Sequence, residues 1–156
     1  MKNVGTRFYR LRGLFLIFFT KILSKLFFVE MPPAVSVSAL IIKENKLLAV
    51  KLSFLKGYAL PGGHVKNFES FEEALRREVE EETGLKISQI RYFNSYNERK
   101  SFLYNILNVC FLANVTGNLS FSSEGEPEWV EKRELIKNLV YLDNKRAVED
   151  FIKENL

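Results

Sequence analysis

Residues 63 to 85 constrain this chain more than any other segment, because they predict a helix with a defined start, a defined end and acids on its packed side. Ser70 followed by Glu73 forms a capping box, the signature of a helix start. Gly84 is a typical helix end, since glycine accepts the left-handed conformation that often terminates a helix. The sequence therefore predicts a helix of about three to four turns between these residues.

The acids of this helix are distributed unusually around its axis. At about 100° per residue, one side is apolar and the other is charged, as expected of a half-buried helix. The apolar side holds Phe71, Ala74, Leu75 and Val79, and the charged side holds Glu72, Glu73, Arg76 and Glu80. The remaining acids, Glu78, Glu81 and Glu82, fall on the apolar side and its margin with i, i+3 and i+4 spacing, so their carboxylates are expected to converge.

Three converging carboxylates suggest a bound cation. They repel one another, and partial burial makes each anion more costly. A hard divalent cation removes both problems, and oxygen ligands suit Mg²⁺ or Mn²⁺. The alternative is a glutamate-rich surface helix with ordinary salt bridges to Arg76 and Arg77.

The residues before the helix favour the metal interpretation. Tyr58 to Gly63 reads as a strand end running into a glycine turn, and from Gly63 onward the chain resembles the Nudix box, G-x5-E-x7-R-E-U-x-E-E-x-G-U with U aliphatic. Fixed positions at fixed spacing are far more specific than a short motif such as a lone G-x-G-x-x-G. Every one is met, by Gly63, Glu69, Arg77, Glu78, Val79, Glu81, Glu82, Gly84 and Leu85.

The Nudix resemblance, which extends loosely over about residues 34 to 150, implies a fold and an activity. The implied fold is an α/β/α sandwich with a mixed β-sheet, here preceded by an N-terminal amphipathic helix. The implied activity is hydrolysis of a nucleoside diphosphate linked to another group, with Mg²⁺ or Mn²⁺ as cofactor. The alternatives are a nucleotide-binding sensor of this fold that does not hydrolyse, and a membrane-recruited interaction protein that keeps the box for structure.

Roles follow from the resemblance position by position. The implied metal ligands are Glu78, Glu81 and Glu82, one of which would also help to deprotonate water. The backbone of Gly62 and Gly63 would approach the metal closely, where a side chain would obstruct it. Arg77 would pair with Glu69 and hold the loop on the helix, and Gly84 would end the helix.

A further acid from outside the box is expected as metal ligand or general base. Residues 123 to 129 resemble the glutamate-glycine stretch before a tryptophan strand in house-cleaning nucleoside triphosphatases. On that match Glu124 is the first candidate and Glu126 the second, whereas Glu128 is expected in the next strand. The alternative is an acidic surface loop.

The chain departs from the family pattern at Phe68, where glycine is frequent, and at Lys66, where an acid is frequent. Phe68 does not adopt a left-handed turn cheaply, so a different loop path is expected. Lys66 would contact a phosphate or face water. His64 is not expected to be catalytic, because hard cations prefer oxygen. Cys110, the only cysteine, is expected in a core strand, which leaves no internal disulfide and fits a reducing compartment.

Charge divides the chain into two parts. Residues 1–30 carry six Lys or Arg and one acid, a net charge of +5, whereas residues 31–156 carry 17 basic and 18 acidic residues, a net charge of −1. We expect a basic amphipathic helical segment at 1–30 and a Nudix hydrolase domain at 31–156. Because the body is nearly neutral, nucleic acid is not an expected partner.

The N-terminal segment resembles an interfacial membrane helix. On a helix, basic Arg7, Arg10, Lys21 and Lys25 lie opposite apolar Phe15, Phe19, Ile22, Leu23 and Leu26, with Arg12 breaking the pattern. A cationic helix rich in aromatic residues is typical of binding to an anionic membrane surface, here through residues 7–29. Packing on the domain or in a homodimer, a signal peptide and a signal anchor are the alternatives. The expected location is cytoplasmic, and peripheral at the inner face of the membrane if the segment binds lipid.

Substrate signals are weak. Tyr96 and Tyr104 could stack on a base, or could equally belong to core or surface. The match at Glu124 favours nucleoside triphosphates, with nucleotide sugars close behind. A proline associated with ADP-ribose about fifteen residues after the box is missing, since residues 99 to 101 are Arg-Lys-Ser.

Hydrophobic patterning predicts the remaining elements. Residues 102 to 113 are expected to form the longest strand, at the centre of the sheet. The other expected strands are 35–42, 47–52, 87–93 and 129–131, the expected helices are 132–139 and 144–155, and polar connections are expected at 94–100 and 114–118.

Overall fold

A computed structural model describes residues 22, 33–99, 105–121 and 125–155 of the 156-residue chain. Those residues contain eight strands and three helices. The strands are β1 Ala34–Leu40, β2 Ile42–Lys43, β3 Lys46–Leu52, β4 Tyr58–Ala59, β5 Gly62–His64, β6 Lys86–Arg99, β7 Asn105–Thr116 and β8 Gly125–Glu131. The helices are α1 Phe71–Thr83, α2 Lys132–Asn138 and α3 Leu142–Glu154.

The strands form two four-stranded sheets. The first has the order β5-β1-β7-β6 and is mixed, because β1 and β7 run parallel while the other neighbours are antiparallel. In the second, β3 pairs with β8 along one edge and with β2 and β4 along the other, all antiparallel. This arrangement confirms the predicted α/β fold with a mixed sheet, and the predicted central position of the strand that became β7.

Two hydrophobic clusters lie on opposite sides of the first sheet. One packs α1 against the sheet through Ala74, Leu75 and Val79, all fully buried. The other packs α2 and α3 through residues such as Leu135 and Val148. The sheet is therefore the middle layer between α1 and the two C-terminal helices, as the predicted sandwich requires.

The start and end of α1 are those the sequence predicts. The Glu73 backbone N–H donates to Ser70 Oγ at 3.2 Å, and the Ser70 backbone N–H donates to the Glu73 carboxylate at 2.7 Å. Gly84 has φ +72° and donates its N–H to the carbonyl of Glu80. One expectation was wrong: Phe71 is 41 % exposed rather than packed. It is the first helical residue, outside the turns that the sheet covers.

Long-range pairing extends three strands beyond the patterns that predicted them. Residues 94 to 99, predicted as a polar connection, continue β6 because they pair with residues 105 to 110 of β7. As a result β6, with 14 residues, is longer than β7, with 12, contrary to the prediction. The predicted turn at 114–118 begins later, since β7 runs to Thr116. Likewise β8 starts at Gly125 rather than Trp129.

The N-terminal segment lies outside the described residues except for Ile22, which is helical and half exposed. In the part of the chain that the structure describes, no helix is long and apolar enough to cross a membrane. The predicted division at residue 30 and the predicted amphipathic helix stay predictions.

Candidate active site

The glycine turn and helix α1 meet at two backbone positions. The Gly62 N–H donates to Glu82 Oε2 at 2.8 Å. A Cβ at Gly63 would lie 2.5 Å from the carboxyl carbon of Glu78, and a Cβ at Gly62 would lie 2.1 Å from the carbonyl oxygen of Val37. The neighbouring strand requires glycine at Gly62, whereas a side chain at Gly63 would displace the Glu78 carboxylate.

Arg77 connects the loop before α1 to the acids of the helix. Its guanidinium makes two hydrogen bonds with the Glu69 carboxylate, at 2.7 and 3.1 Å, as the box resemblance implies. It also donates to the carbonyl oxygen of His64 at 3.1 Å. These bonds, followed by one from the Lys66 backbone N–H, lower the pKa of Glu69 to about 2. Hydrogen bonds to Glu69 and then to Glu78 raise the pKa of Arg77.

The three helix glutamates are not equivalent. Glu82 is buried at 8 % exposure, the side chain of Glu78 is 14 % exposed, and that of Glu81 is 57 % exposed. Arg77 Nη1 donates to Glu78 at 2.6 Å and to Glu81 at 3.3 Å, so the guanidinium draws these two carboxylates toward itself. The expected convergence of all three on one point is wrong in this structure. Among the described side chains, no three of His, Cys, Asp or Glu are grouped to hold a metal ion.

The residues nevertheless suit a divalent cation. Glu78 and Glu82 both reach the glycine turn, one against the space that a Cβ at Gly63 would fill and the other bonded to Gly62. Their donor atoms are all oxygens, the set that Mg²⁺ and Mn²⁺ prefer. Binding both carboxylates to one ion would require Glu78 to turn away from Arg77.

The loop between β5 and α1 takes a conformation that the sequence argued against. Phe68 has φ +68°, in the left-handed region, and its side chain is fully exposed. The loop is held at its ends by Glu69, which bonds the Lys66 backbone N–H and Arg77. These contacts hold Phe68 in a conformation that a bulky residue rarely adopts. The Lys66 side chain is exposed, and its predicted substrate contact stays a prediction.

A cavity of about 420 Å³ adjoins the glycine turn. Its lining is contributed by β1, β3, β5, β7 and the start of α3, so it lies between the two sheets. Gly62, Gly63 and Glu82 belong to its wall. Glu82 and the glycine turn therefore stand at one side of a half-open cavity large enough for part of a nucleotide.

Two further residues that line this cavity are polar and buried. Asn108 on β7 is 1 % exposed; its side-chain N–H donates to Ser38 Oγ at 3.0 Å, and its Oδ1 accepts no hydrogen bond from the described residues. Asn144 Oδ1 accepts the Leu60 N–H at 2.9 Å, which ties the start of α3 to the residue before the glycine turn. Sequence reasoning missed both residues. For Asn108, the sequence signal that could have indicated a functional residue is a side-chain amide inside an otherwise apolar strand.

A larger cavity of about 740 Å³ lies elsewhere, along the start of β6 and the exposed side of α1. Arg76 and Glu72 line it, but neither the glycine turn nor Glu82 does. Although this cavity is larger, its lining lacks these residues, so it is not the better candidate for phosphate chemistry.

Tyr96, one of the two residues predicted to stack on a base, does not line the cavity. Tyr96 is buried at 7 % exposure and donates its hydroxyl to Asp150 at 3.1 Å, so its ring is not available for stacking on a base. Burial is the main cause of its raised pKa. Cys110 is fully buried, as predicted, and burial raises the pKa of its thiol to about 12. Tyr104 lies outside the described residues.

The second acidic segment is only partly described. Glu124, the first candidate for an additional acid, lies outside the described residues. Glu126 is exposed in β8, opposite Lys51. Glu128 also lies in β8, as predicted, and accepts a hydrogen bond from the Tyr58 hydroxyl at 2.7 Å. That bond is the main cause of a Tyr58 pKa raised to about 12, which gives Glu128 a structural contact within the second sheet.

Comparison with known proteins shows the family of this chain. The model of the NUDIX domain matches residues 32–151, and the chain belongs to that family of hydrolases. It is 33 % identical over 127 residues to an ADP-ribose pyrophosphatase of Methanocaldococcus jannaschii, covering 78 % of this chain and 74 % of that protein. It is 41 % identical over 78 residues to an 8-oxo-dGTP diphosphatase of Buchnera aphidicola, covering 46 % of this chain and 59 % of that protein. A solved MutT protein from Methanosarcina mazei superposes with a TM-score of 0.69 at 28 % identity, covering 81 % of this chain and 97 % of that one.

Proposed function

We propose that this Nudix hydrolase cleaves a pyrophosphate bond in a nucleoside diphosphate linked to another group, using Mg²⁺ or Mn²⁺. The observation that carries the proposal is the contact of Glu82 with the Gly62 N–H beside a cavity, with Glu78 against Gly63. Acids at this density are costly unless a cation is bound, and oxygen ligands suit a hard divalent cation.

Each residue has a distinct task in this proposal. The bound cation would stabilise charge on the phosphate oxygens and make water a better nucleophile. Glu82, held by the Gly62 N–H, presents an oriented carboxylate at the cavity wall. Arg77 fixes the loop to the helix through Glu69 and shares Glu78 and Glu81. Glu124 remains a candidate for the additional acid.

The cavity supports a nucleotide as the substrate. Asn108 belongs to its lining, and the buried Oδ1 of that residue has no hydrogen-bond partner among the described residues; such an oxygen gains most from a partner that donates a hydrogen bond, as a base or a ribose does. We favour a nucleoside triphosphate or a nucleotide sugar. The two relatives described above are named for one substrate of each kind, since ADP-ribose is a nucleoside diphosphate joined to a sugar.

The test is release of phosphate or pyrophosphate from a panel of nucleoside triphosphates, nucleotide sugars, ADP-ribose and dinucleoside polyphosphates. Glu82→Gln should lower kcat by about a thousandfold, because it removes a charged group that acts on the transition state. Glu80→Gln, an exposed acid on the same helix, is the matched control and should retain activity. Magnesium-dependent nucleotide binding without turnover on any substrate would instead indicate a sensor.

The N-terminal segment adds a second proposal about partners and location. We propose that residues 7–29 attach the enzyme peripherally to an anionic membrane surface from the cytoplasmic side, on the strength of their charge and apolar pattern. Homodimerisation through the same segment is the competing interpretation. Phe19→Asp in the full chain should weaken vesicle binding in the first case, and should dissociate the dimer in light scattering in the second.

A further inference from the structure

An exposed apolar patch stands beside the cavity. It consists of Phe54 and Leu55, from the loop between β3 and β4, and of Val140 and Leu142, from the turn between α2 and α3. Their exposed fractions are 88 %, 49 %, 37 % and 47 %. Large apolar side chains exposed on two adjoining segments are typical of an interaction surface.

The backbone beneath the patch is fixed. The loop is closed by the Leu52 N–H, which donates to the Gly57 carbonyl at 3.0 Å, and the turn is joined to it by the Val140 N–H, which donates to the Tyr58 carbonyl at 3.0 Å. A Cβ at Gly57 would lie 2.5 Å from the carbonyl oxygen of Asn138, so the two segments are in direct contact. The apolar side chains are therefore displayed on hydrogen-bonded backbone.

The charges in these segments have one sign. Residues 51 to 58 contain Lys51 and Lys56, and residues 136 to 142 contain Lys137, with no acid in either stretch. All three lysines are exposed. Glu126 lies opposite Lys51 on β8 and offsets part of this charge. An apolar patch with a basic margin is complementary to an anionic bilayer, which attracts each nearby Lys by about 1 kcal/mol.

The patch and the first strand of the described domain adjoin the same cavity. Leu52 and Tyr141, which adjoin the patch in sequence, line it. On another side, Ala34 at the start of β1 pairs with Ile106, and Ile106 also lines the cavity. Residues 1–32, with a net charge of +5, therefore join the domain beside the space that the patch adjoins.

We propose that the patch rests on the surface of an anionic bilayer and acts together with the basic N-terminal segment, so that the cavity opens beside the lipid headgroups. This inference deepens the proposed membrane attachment and is independent of hydrolysis. It adds a second contact surface, formed by the folded domain.

The test is co-sedimentation of the full chain with phosphatidylcholine vesicles, with and without phosphatidylglycerol. Phe54→Asp should lower the partition coefficient about tenfold or more, because a phenylalanine loses its burial in the interface. Leu142→Asp should act in the same direction and keep the fold, since an acid suits the first turn of α3. Lys56→Gln should lower binding about fivefold, and only to vesicles containing phosphatidylglycerol.

Tyr92→Asp is the matched control, because Tyr92 is an aromatic residue 56 % exposed on β6, outside the patch, and its loss should leave vesicle binding unchanged. Turnover without vesicles should be unaffected in Phe54→Asp, which separates this test from that of the enzymatic activity. Wild-type binding by both Phe54→Asp and Leu142→Asp, or no binding by the wild-type chain, would overturn the proposal. Two further results would also overturn the proposal. If Phe54→Asp dissociates a dimer, the patch binds a second copy of the chain. If Phe54→Asp lowers the Tm without changing the partition coefficient, the N-terminal segment alone binds the membrane.

Discussion

The two walls of the candidate site are built in opposite ways. One wall, formed by the glycine turn and α1, comes from a single stretch of 23 residues, and its contacts join neighbours such as Arg77 and Glu69, eight positions apart. The other wall brings Asn108 to Ser38 and Asn144 to Leu60, across 70 and 84 positions. The local wall carries the glutamates proposed for phosphate chemistry, and the distant wall carries the amides of Asn108 and Asn144 together with one acid, Asp143.

This difference suggests a division of labour. A wall made from one segment keeps its geometry wherever the segment folds, so it suits chemistry common to many substrates. A wall assembled from β1, β7 and α3 depends on the packing of the whole domain and suits recognition of one substrate. Substitutions in the two walls should therefore change different kinetic parameters.

The largest expected effect comes from the two adjacent glycines. Gly63→Ala places a methyl against Glu78 and should lower kcat about a hundredfold with little loss of stability, since a flexible side chain can move aside but loses its position. Gly62→Ala meets the backbone of Val37 at a φ of +152° and should lower the free energy of unfolding by about 2 kcal/mol or more. Kinetics and urea unfolding of both variants test this, and equal effects of the two on stability would contradict it.

The distant wall should control KM. Asn108→Ala removes the buried amide and should raise KM for the best substrate about tenfold while kcat changes little. Asn114→Ala, an exposed amide on the same strand, is the control and should leave both parameters unchanged. A fall in kcat at constant KM would indicate that Asn108 acts in catalysis rather than in substrate recognition, and would contradict the proposed division of labour between the two walls.

The local wall should also be sensitive at its helix start. Ser70→Ala removes the acceptor for the Glu73 N–H and should lower the free energy of unfolding by about 1 kcal/mol. Ser88→Ala, at an exposed serine on β6, should cost less. Unfolding curves in urea would measure both, and an unchanged midpoint for Ser70→Ala would show that tertiary packing alone sets the start of α1.

The smallest expected effect is a pH dependence at Glu69. Its folded pKa of about 2 lies below the ordinary 4.5, so its contribution to stability is complete above 4.5. As the pH falls, the unfolded chain takes up the proton first, and the contribution is lost by the time the pH reaches about 2. Glu69→Gln should therefore be less stable than wild type at neutral pH, with a difference that shrinks across this range. A constant difference would assign the effect to packing.

Sequence reasoning succeeded where contacts are local. The capping box, the Gly84 helix end and the Arg77–Glu69 pair follow from spacing within one segment. It failed where residues distant in sequence determine the structure. The polar residues 94 to 99 form a strand because they pair with β7. The spacing of Asn108 and Asn144 in the sequence does not indicate that they line the same cavity. Phe68 was misjudged because contacts on both sides of it impose a backbone that its own preference opposes.

The pairing of β6 has a consequence for the solubility of the folded chain. β6 is the outermost strand of its sheet, and a long open edge invites pairing with a strand of another molecule. Two register shifts leave Ser88 and Phe93 without a partner in β7, so the regular stretches of β6 are only two, four and six residues long. Each bulge turns the edge and interrupts its spacing of N–H and carbonyl groups. The longest strand among the described residues is thereby a poor template for aggregation.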